Sequence, residues 1–470
     1  MFNFFLSFSI FFFILSCSVS FYFIHTIDIK KKNEELYSNS QLNFIKLIPY
    51  AFIFLNLMYV LPLSIFCLMG LKIRGEISPS LYNFSEYIPC ALLLESLFVL
   101  IFSFIYKKFS SINLGYCKPA PKFFLPKTIF YFVLVAQVCL ILCLILSLFE
   151  VVGGASKFLQ TGYSVTTYFI GNGSYVIALD WLISLTIITL AYSYYQKSRF
   201  FVWFVFLIIL LETLFFLLLS RRGSLIVLLG GAFSTYYFSR SKKMSNILIF
   251  IYAITAYLFM NIISFVRGLK NLDSGIKFFH TFFYNIKISL FNGNIDLFYS
   301  LTSGNFAVPF ETLPQIIKGI HEGKIYFQFG KTLLNSLTLL IPSFLWHERP
   351  LPIANWYFHE FYDSSAPMNI GRQFFFLSDS YLNFGFLGVI IWGLVYGFFL
   401  SSFVFIFAKR NNNPLALSVL VLFLANSLNF ITTDFIGFIV SFFKSFMFPI
   451  FLFFCASFLV KSNLKRILKG

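Results

Sequence analysis

Trp346-His347-Glu348-Arg349-Pro350, Trp356-Tyr357-Phe358-His359-Glu360 and Gly371-Arg372 all belong to one run, Val266 to Ser380, whose reading decides the fold. The run holds nine Lys/Arg, eight Asp/Glu and four of the five histidines. On either side the chain is one apolar segment after another, many of 18 residues or more, long enough to cross about 30 Å of hydrocarbon. A run this polar cannot span a bilayer. It must fold as a cap on one membrane face, and it is the expected working face.

Composition agrees with that reading. Of 470 residues, 59% are hydrophobic and only 11% charged, with a mean hydropathy of +0.84. Such a chain cannot be packed into a water-soluble globule, so the expected fold class is an all-α polytopic membrane protein. Apolar segments are read at about 3–23, 44–69, 88–106, 126–149, 175–195, 200–219, 222–239 and 246–265. Three more follow the polar run, near 381–408, 414–432 and 436–460. The expected organisation is therefore about eleven transmembrane helices: helices 1–8 within 1–265, one large loop over 266–380, and helices 9–11 within 381–470. The first segment lacks a basic flank and a small-x-small cleavage site, and is read as a retained helix rather than a signal peptide. Within the loop, Phe306–Ile320 and Thr332–Trp346 are apolar enough for short amphipathic or re-entrant helices that lie down on the membrane. Ile341-Pro342 would end the second.

The net charge of +17 raises the question of nucleic acid. The excess lies instead in short loops beside apolar helices, which is the positive-inside pattern, so a nucleic-acid partner is not expected. One alternating set of flanks, with Lys30–Lys32, Lys107, Lys108, Lys197, Arg240, Lys409 and Lys461 among them, holds 19 basic residues. The short loops of the other set hold five: Lys72, Arg74, Lys157, Arg221 and Arg222. The richer side is cytoplasmic. An odd number of spans then puts the N-terminus and the large loop in the periplasm of a bacterial inner membrane, and the C-terminus in the cytoplasm.

The seven cysteines lie in or beside apolar segments, with no CxxC and no ligand spacing to histidine, so neither disulfides nor zinc are expected. There is no Walker loop, no GxGxxG after a strand, no HExxH and no DxD metal pair. No cofactor and no metal are implied, and an enzyme outside the cytoplasm would need an activated donor that is already lipid-linked. Arg221-Arg222 join two helices with almost no loop between them. Arginine at membrane depth is costly and usually has a partner or a task. The two readings are snorkelling to lipid phosphates and a guanidinium fork for a diphosphate. Arg267, Arg349 and Arg372 fall on the same face by topology, and clustered cations suit an anionic substrate. Asp379 opens the helix after the loop and is either a helix cap or a general base. His359 and Glu360 compete for the base. Glu95, Glu212 and Lys444 lie inside apolar segments, where pairing between helices comes first and a substrate path second.

Three stretches carry a resemblance: Ser220-Arg221-Arg222-Gly223, the run Ile341 to Pro350, and Asp379-Ser380-Tyr381-Leu382-Asn383-Phe384-Gly385. Together with one large loop in the second half, they resemble the Wzy-type O-antigen polymerases. The second stretch is also similar to a P-S-x-L-W-x-x-R-P element of the enterobacterial common antigen polymerases. The resemblance implies an inverting, metal-independent transfer on an architecture like the C-type glycosyltransferases. The implied donor is the growing glycan on undecaprenyl diphosphate, and the acceptor a sugar hydroxyl of a new lipid-linked repeat unit. Arg222, Arg267 and Arg349 would meet the leaving diphosphate, membrane lipids would surround the site, and a chain-length regulator is an implied partner. The alternatives are an O-antigen ligase, which differs in acceptor, and a lipid-linked oligosaccharide flippase, which the long loop disfavours.

Overall fold

A computed structural model describes residues 2–27, 39–69, 84–114, 127–154, 173–219, 221–239, 304–341, 345–346, 348–365, 371–408 and 413–467. Before the loop run α1 (Phe2–His25), α2 (Asn39–Leu68), α3 (Ile88–Leu114), α4 (Lys127–Val152), α5 (Gly173–Tyr195), α6 (Arg199–Leu218) and α7 (Arg222–Ser239). The loop contributes α8 (Gly304–His321), α9 (Lys331–Leu337) and α10 (Ile353–Phe361). After it come α11 (Phe376–Ala408), α12 (Pro414–Ala425), α13 (Ser427–Ile431) and α14 (Phe435–Ile467). No strand occurs among the described residues.

Eight of the described helical segments are long and apolar enough to cross a membrane, and two shorter apolar helices, Gly223–Ser239 and Pro414–Ala425, accompany them. The expected segment 246–265 lies outside the described residues. Serines are carried inside these helices at little cost because their hydroxyls bond back to the carbonyl one turn earlier. Ser16 donates to Phe12, Ser64 to Val60, Ser96 to Leu92 and Ser103 to Val99, at 2.7–2.9 Å.

The chain forms two compact units. The first comprises Met1–Lys118, Phe298–Lys409 and Asn426–Val440. Its centre is aromatic: the rings of Phe52, Phe98, Phe376, Tyr396 and Phe430 lie 4.9–6.2 Å apart in successive pairs. That cluster reveals a departure from the expected straight helix at 381–408. The helix begins at Phe376, and at Gly385 the backbone takes φ 60° and ψ −140°. The rings of Phe376 and Tyr396 are 5.2 Å apart, whereas twenty residues of straight helix would separate them by about 30 Å. The chain therefore turns back on itself at Gly385. A short limb, 376–384, lies beside a long limb, 386–408. Gly388 permits the approach, since a Cβ there would stand 2.1 Å from the Ser380 carbonyl oxygen.

The loop helices pack on this hairpin. Ile316, Ile325, Ile353, Tyr357, Phe374 and Leu382 form one buried cluster. The expected helix 306–320 is present as α8. The helix expected over 332–346 is shorter: α9 ends at Leu337 and a 3₁₀ turn covers Thr338–Leu340. Ile341 is then extended (φ −85°, ψ 123°), as the residue before a proline prefers to be.

The second unit comprises Pro119–Leu297, Arg410–Ala425 and Ser441–Gly470. Its interior is tied by a buried polar group. Glu212 of α6 accepts from Thr186 of α5 at 2.6 Å and from Gln137 of α4 at 3.2 Å. This is the pairing between helices expected for Glu212. The Trp181 indole donates to the Lys444 carbonyl at 2.8 Å.

Candidate functional site

Asp379 sits in the short limb of α11, fully buried. Its Oδ1 accepts from Thr332 Oγ1 of α9 at 2.6 Å and from Asn383 Nδ2, one turn further along, at 3.0 Å. Asn383 Nδ2 also lies 2.6 Å from Thr332 Oγ1, and its Oδ1 accepts from the Gly330 backbone at 2.8 Å. The extended segment before α9 is pinned to the same place. Gln328 N donates to the Leu382 carbonyl at 2.9 Å, and Phe329 N to that of Asn383 at 3.2 Å. Asp379 Oδ2 has no hydrogen-bond partner among the described residues. One oxygen of the carboxylate is fixed and the other is left to accept a proton.

A second carboxylate stands near. Asp434 and Asp379 interact electrostatically. Asp434 precedes α14, accepts from the Gly437 backbone at 2.7 Å and is hydrogen-bonded by the Ser336 hydroxyl. Thr332 and Ser336 are four residues apart, so they share one face of α9. That face therefore serves both acids. The short limb is held in place from below by Ser378, whose hydroxyl lies 2.7 Å from that of Thr312 in α8. Phe374 N donates to the Thr432 carbonyl at 3.2 Å.

The other residues singled out in the sequence are placed as follows. Arg372 is paired with the buried carboxylate of Glu311 in α8, and its guanidinium lies over the Tyr362 ring, 4.4 Å from the centroid. Tyr362 donates to Glu311 at 2.7 Å, and Tyr357 donates to Gln315. Burial first pushes both phenols up, followed by the Glu311 charge at Tyr362 and by Tyr362 and then Glu311 at Tyr357. Both stay protonated donors. Arg349 is partly exposed and donates to the Ile341 carbonyl at 3.0 Å. His359 is half-buried, with neither ring nitrogen partnered among the described residues, and Glu360 is exposed. In the second unit, Arg221 is half-buried within electrostatic reach of Asp180 in α5. Arg222 opens α7, and Arg267 lies outside the described residues.

The structure thus gives Thr332, Asn383, Asp434 and Glu311 parts that the sequence alone did not assign to them. Asn383 was legible, being four residues after Asp379 and so on the same helical face. Thr332 and Glu311 reach their partners through space, across 47 and 61 residues, and carried no local signal. Glu95 is buried in α3 with neither oxygen partnered among the described residues.

No curated protein and no solved structure matches the chain. A family model described as O-antigen polysaccharide polymerase Wzy matches residues 91–463, a stretch running from α3 into α14 and containing Asp379 and all its partners. The chain belongs to the O-antigen polysaccharide polymerase Wzy family, and it polymerises repeat units into O-antigen.

Proposed function

We propose that the polymer grows by a metal-independent, inverting transfer from a lipid-diphosphate donor at the periplasmic face of the inner membrane, with Asp379 as general base. The single observation that supports this is the asymmetry of the Asp379 carboxylate. Thr332 and Asn383 hold one oxygen, and the other is unpartnered among the described residues in a fully buried side chain. An acceptor sugar hydroxyl gives its proton to Oδ2 as its oxygen attacks the anomeric carbon of the donor. The bond from that carbon to the diphosphate oxygen breaks, and the electron pair leaves on the diphosphate. Arginines neutralise this developing charge in place of a metal. We assign that role to Arg349 in the first unit, with Arg222 and Arg267 kept as candidates from the sequence alone. Arg372 is different: its charge is met by Glu311, and we assign it to holding the loop. The described residues contain no group of three or more His, Cys, Asp or Glu side chains that could hold a metal ion. Family membership favours this polymerase over a ligase or a flippase.

The test is Asp379→Asn. The amide keeps the shape and can still accept from Thr332 and Asn383, but it cannot take the proton. Cells carrying it should make lipopolysaccharide with a single repeat unit in place of a ladder. A normal ladder would move the base to Glu360 or His359. Purified chain supplied with lipid-linked repeat units should polymerise in excess EDTA, and activity lost there and restored by magnesium would overturn the metal-free route.

A further inference from the structure

Helix α9 is built inside out. Its buried residues are the polar Thr332 and Ser336, turned toward Asp379 and Asp434. Its outward residues are Leu334, 67% exposed, and Leu337, 45% exposed. A helix bathed in water shows the reverse arrangement, with its apolar face inward. Its neighbours in the loop show no such exposed apolar face: α10 buries Ile353 and Tyr357 and exposes Glu360, and α8 is buried all round over 309–317, with Glu311, Thr312 and Gln315 as well as Phe310, Leu313 and Ile316. The inversion is therefore confined to one segment rather than general to the loop.

The apolar surface extends on both sides of α9. Tyr326 (77% exposed) and Phe329 (78%) precede it, and Leu340, Leu345 and Trp346 follow. It is also continuous with the face of α11 that meets lipid. Phe384, Leu387, Ile391, Leu394 and Phe398 are all exposed, at helical spacings of three and four. Phe329 N is bonded to the Asn383 carbonyl, and Phe327 packs 3.3 Å from where a Cβ on Gly385 would stand. The loop strip thus joins that stripe at its upper end without a polar break. An exposed apolar patch of this extent, beside a membrane span, marks contact with the bilayer.

We propose that residues 326–341, with α9 at their centre, and Leu345 and Trp346 after them lie in the hydrocarbon of the bilayer leaflet against the acyl chains of phospholipid. Lys331 begins α9 and has the length to reach headgroup phosphates from that position. Asp379 and Asp434 then lie under a helix about 10 Å thick whose far side is lipid, not water. The inference goes beyond the transfer reading and does not depend on Asp379 being the base.

Tryptophan in the full-length chain tests it, in vesicles of phosphatidylcholine and phosphatidylglycerol with chains brominated near the headgroup end. Emission of each variant is taken after subtraction of the parent chain, with no substrate present. Leu387→Trp sets the lipid reference and Lys324→Trp the water reference. Phe329→Trp and Leu334→Trp should be quenched by brominated lipid at least half as strongly as Leu387→Trp. Acrylamide should quench them several-fold less than Lys324→Trp. Tyr326→Trp repeats the measurement should either of the two fail to fold. Quenching by acrylamide to the level of Lys324→Trp would put the strip in water, and quenching by neither agent would put it against protein. Either result overturns the proposal. A positive result with an active Asp379→Asn enzyme would leave the strip in lipid and the base assignment wrong.

Discussion

Asp379 has its two carboxylate oxygens in different surroundings, and Thr332 makes the difference. Its hydroxyl donates to Oδ1 at 2.6 Å in a water-poor interior, where a hydrogen bond to a charged group is worth about 1.5–3 kcal/mol. Thr332→Val keeps the shape and removes the donor. Transfer should fall by roughly ten- to a hundredfold, at about tenfold per 1.4 kcal/mol. The loss should appear in kcat with KM little changed if the hydroxyl acts by aiming the proposed base, since its partners are Asp379 and Asn383. Thr332→Ser restores the donor and should recover most of the rate; failure of Ser to do so would assign Thr332 to packing alone. The acid itself was legible in the sequence, as the one carboxylate opening the helix after the loop. The residue that aims it was not, because a hydroxyl 47 positions away acquires its partner only when the loop is laid down.

Among the elements, α8, α10 and the short limb of α11 are joined by one charge pair. Glu311 is almost fully buried, and Arg372 and Tyr362 both bind it. Arg372→Ala would strand that carboxylate without its cation, a change that typically costs about 3–5 kcal/mol when one partner of a buried pair is removed. The purified variant should melt well below the parent in detergent. Adding Glu311→Gln should restore most of the loss, because the uncompensated charge is gone. An Arg372→Ala chain with parental stability and no transfer would instead return Arg372 to the diphosphate. The sequence showed that Arg372 was a cation on the loop side, but not that its charge was already met. It likewise showed the helix at 381–408 and hid the reversal. Gly385 and Gly388 are ordinary residues of an apolar helix by composition, and only the packing of Phe376 beside Tyr396 distinguishes a hairpin from a straight span.

For the whole molecule, the long spans were the most legible feature, since apolar length alone determines what can cross hydrocarbon. The segment that re-enters was hidden for the same reason. Residues 376–384 carry Ser378, Asp379, Ser380 and Asn383 and are too short and too polar to read as a span, so their depth follows from contacts rather than composition. Phe376 lies level with Tyr396, about 16 Å along the long limb from Gly385. Asp379, between them, is below the turn and not in the open loop. Orientation rests on the count of 19 basic residues in one set of flanks against five in the other. On that count the richer side is expected in the cytoplasm, because moving Lys and Arg across the membrane is unfavourable. An alkaline phosphatase fusion after Glu322 should therefore be active, since Glu322 is an exposed residue just past α8 and that enzyme folds only outside the cytoplasm. A fusion after Arg410, past the end of α11 expected in the cytoplasm, should be inactive, and a green fluorescent protein at the C-terminus should glow. The reverse pattern would put Asp379 on the side where nucleotide-sugars, not flipped lipid-linked units, are supplied, and would remove the lipid-diphosphate donor from the reaction proposed.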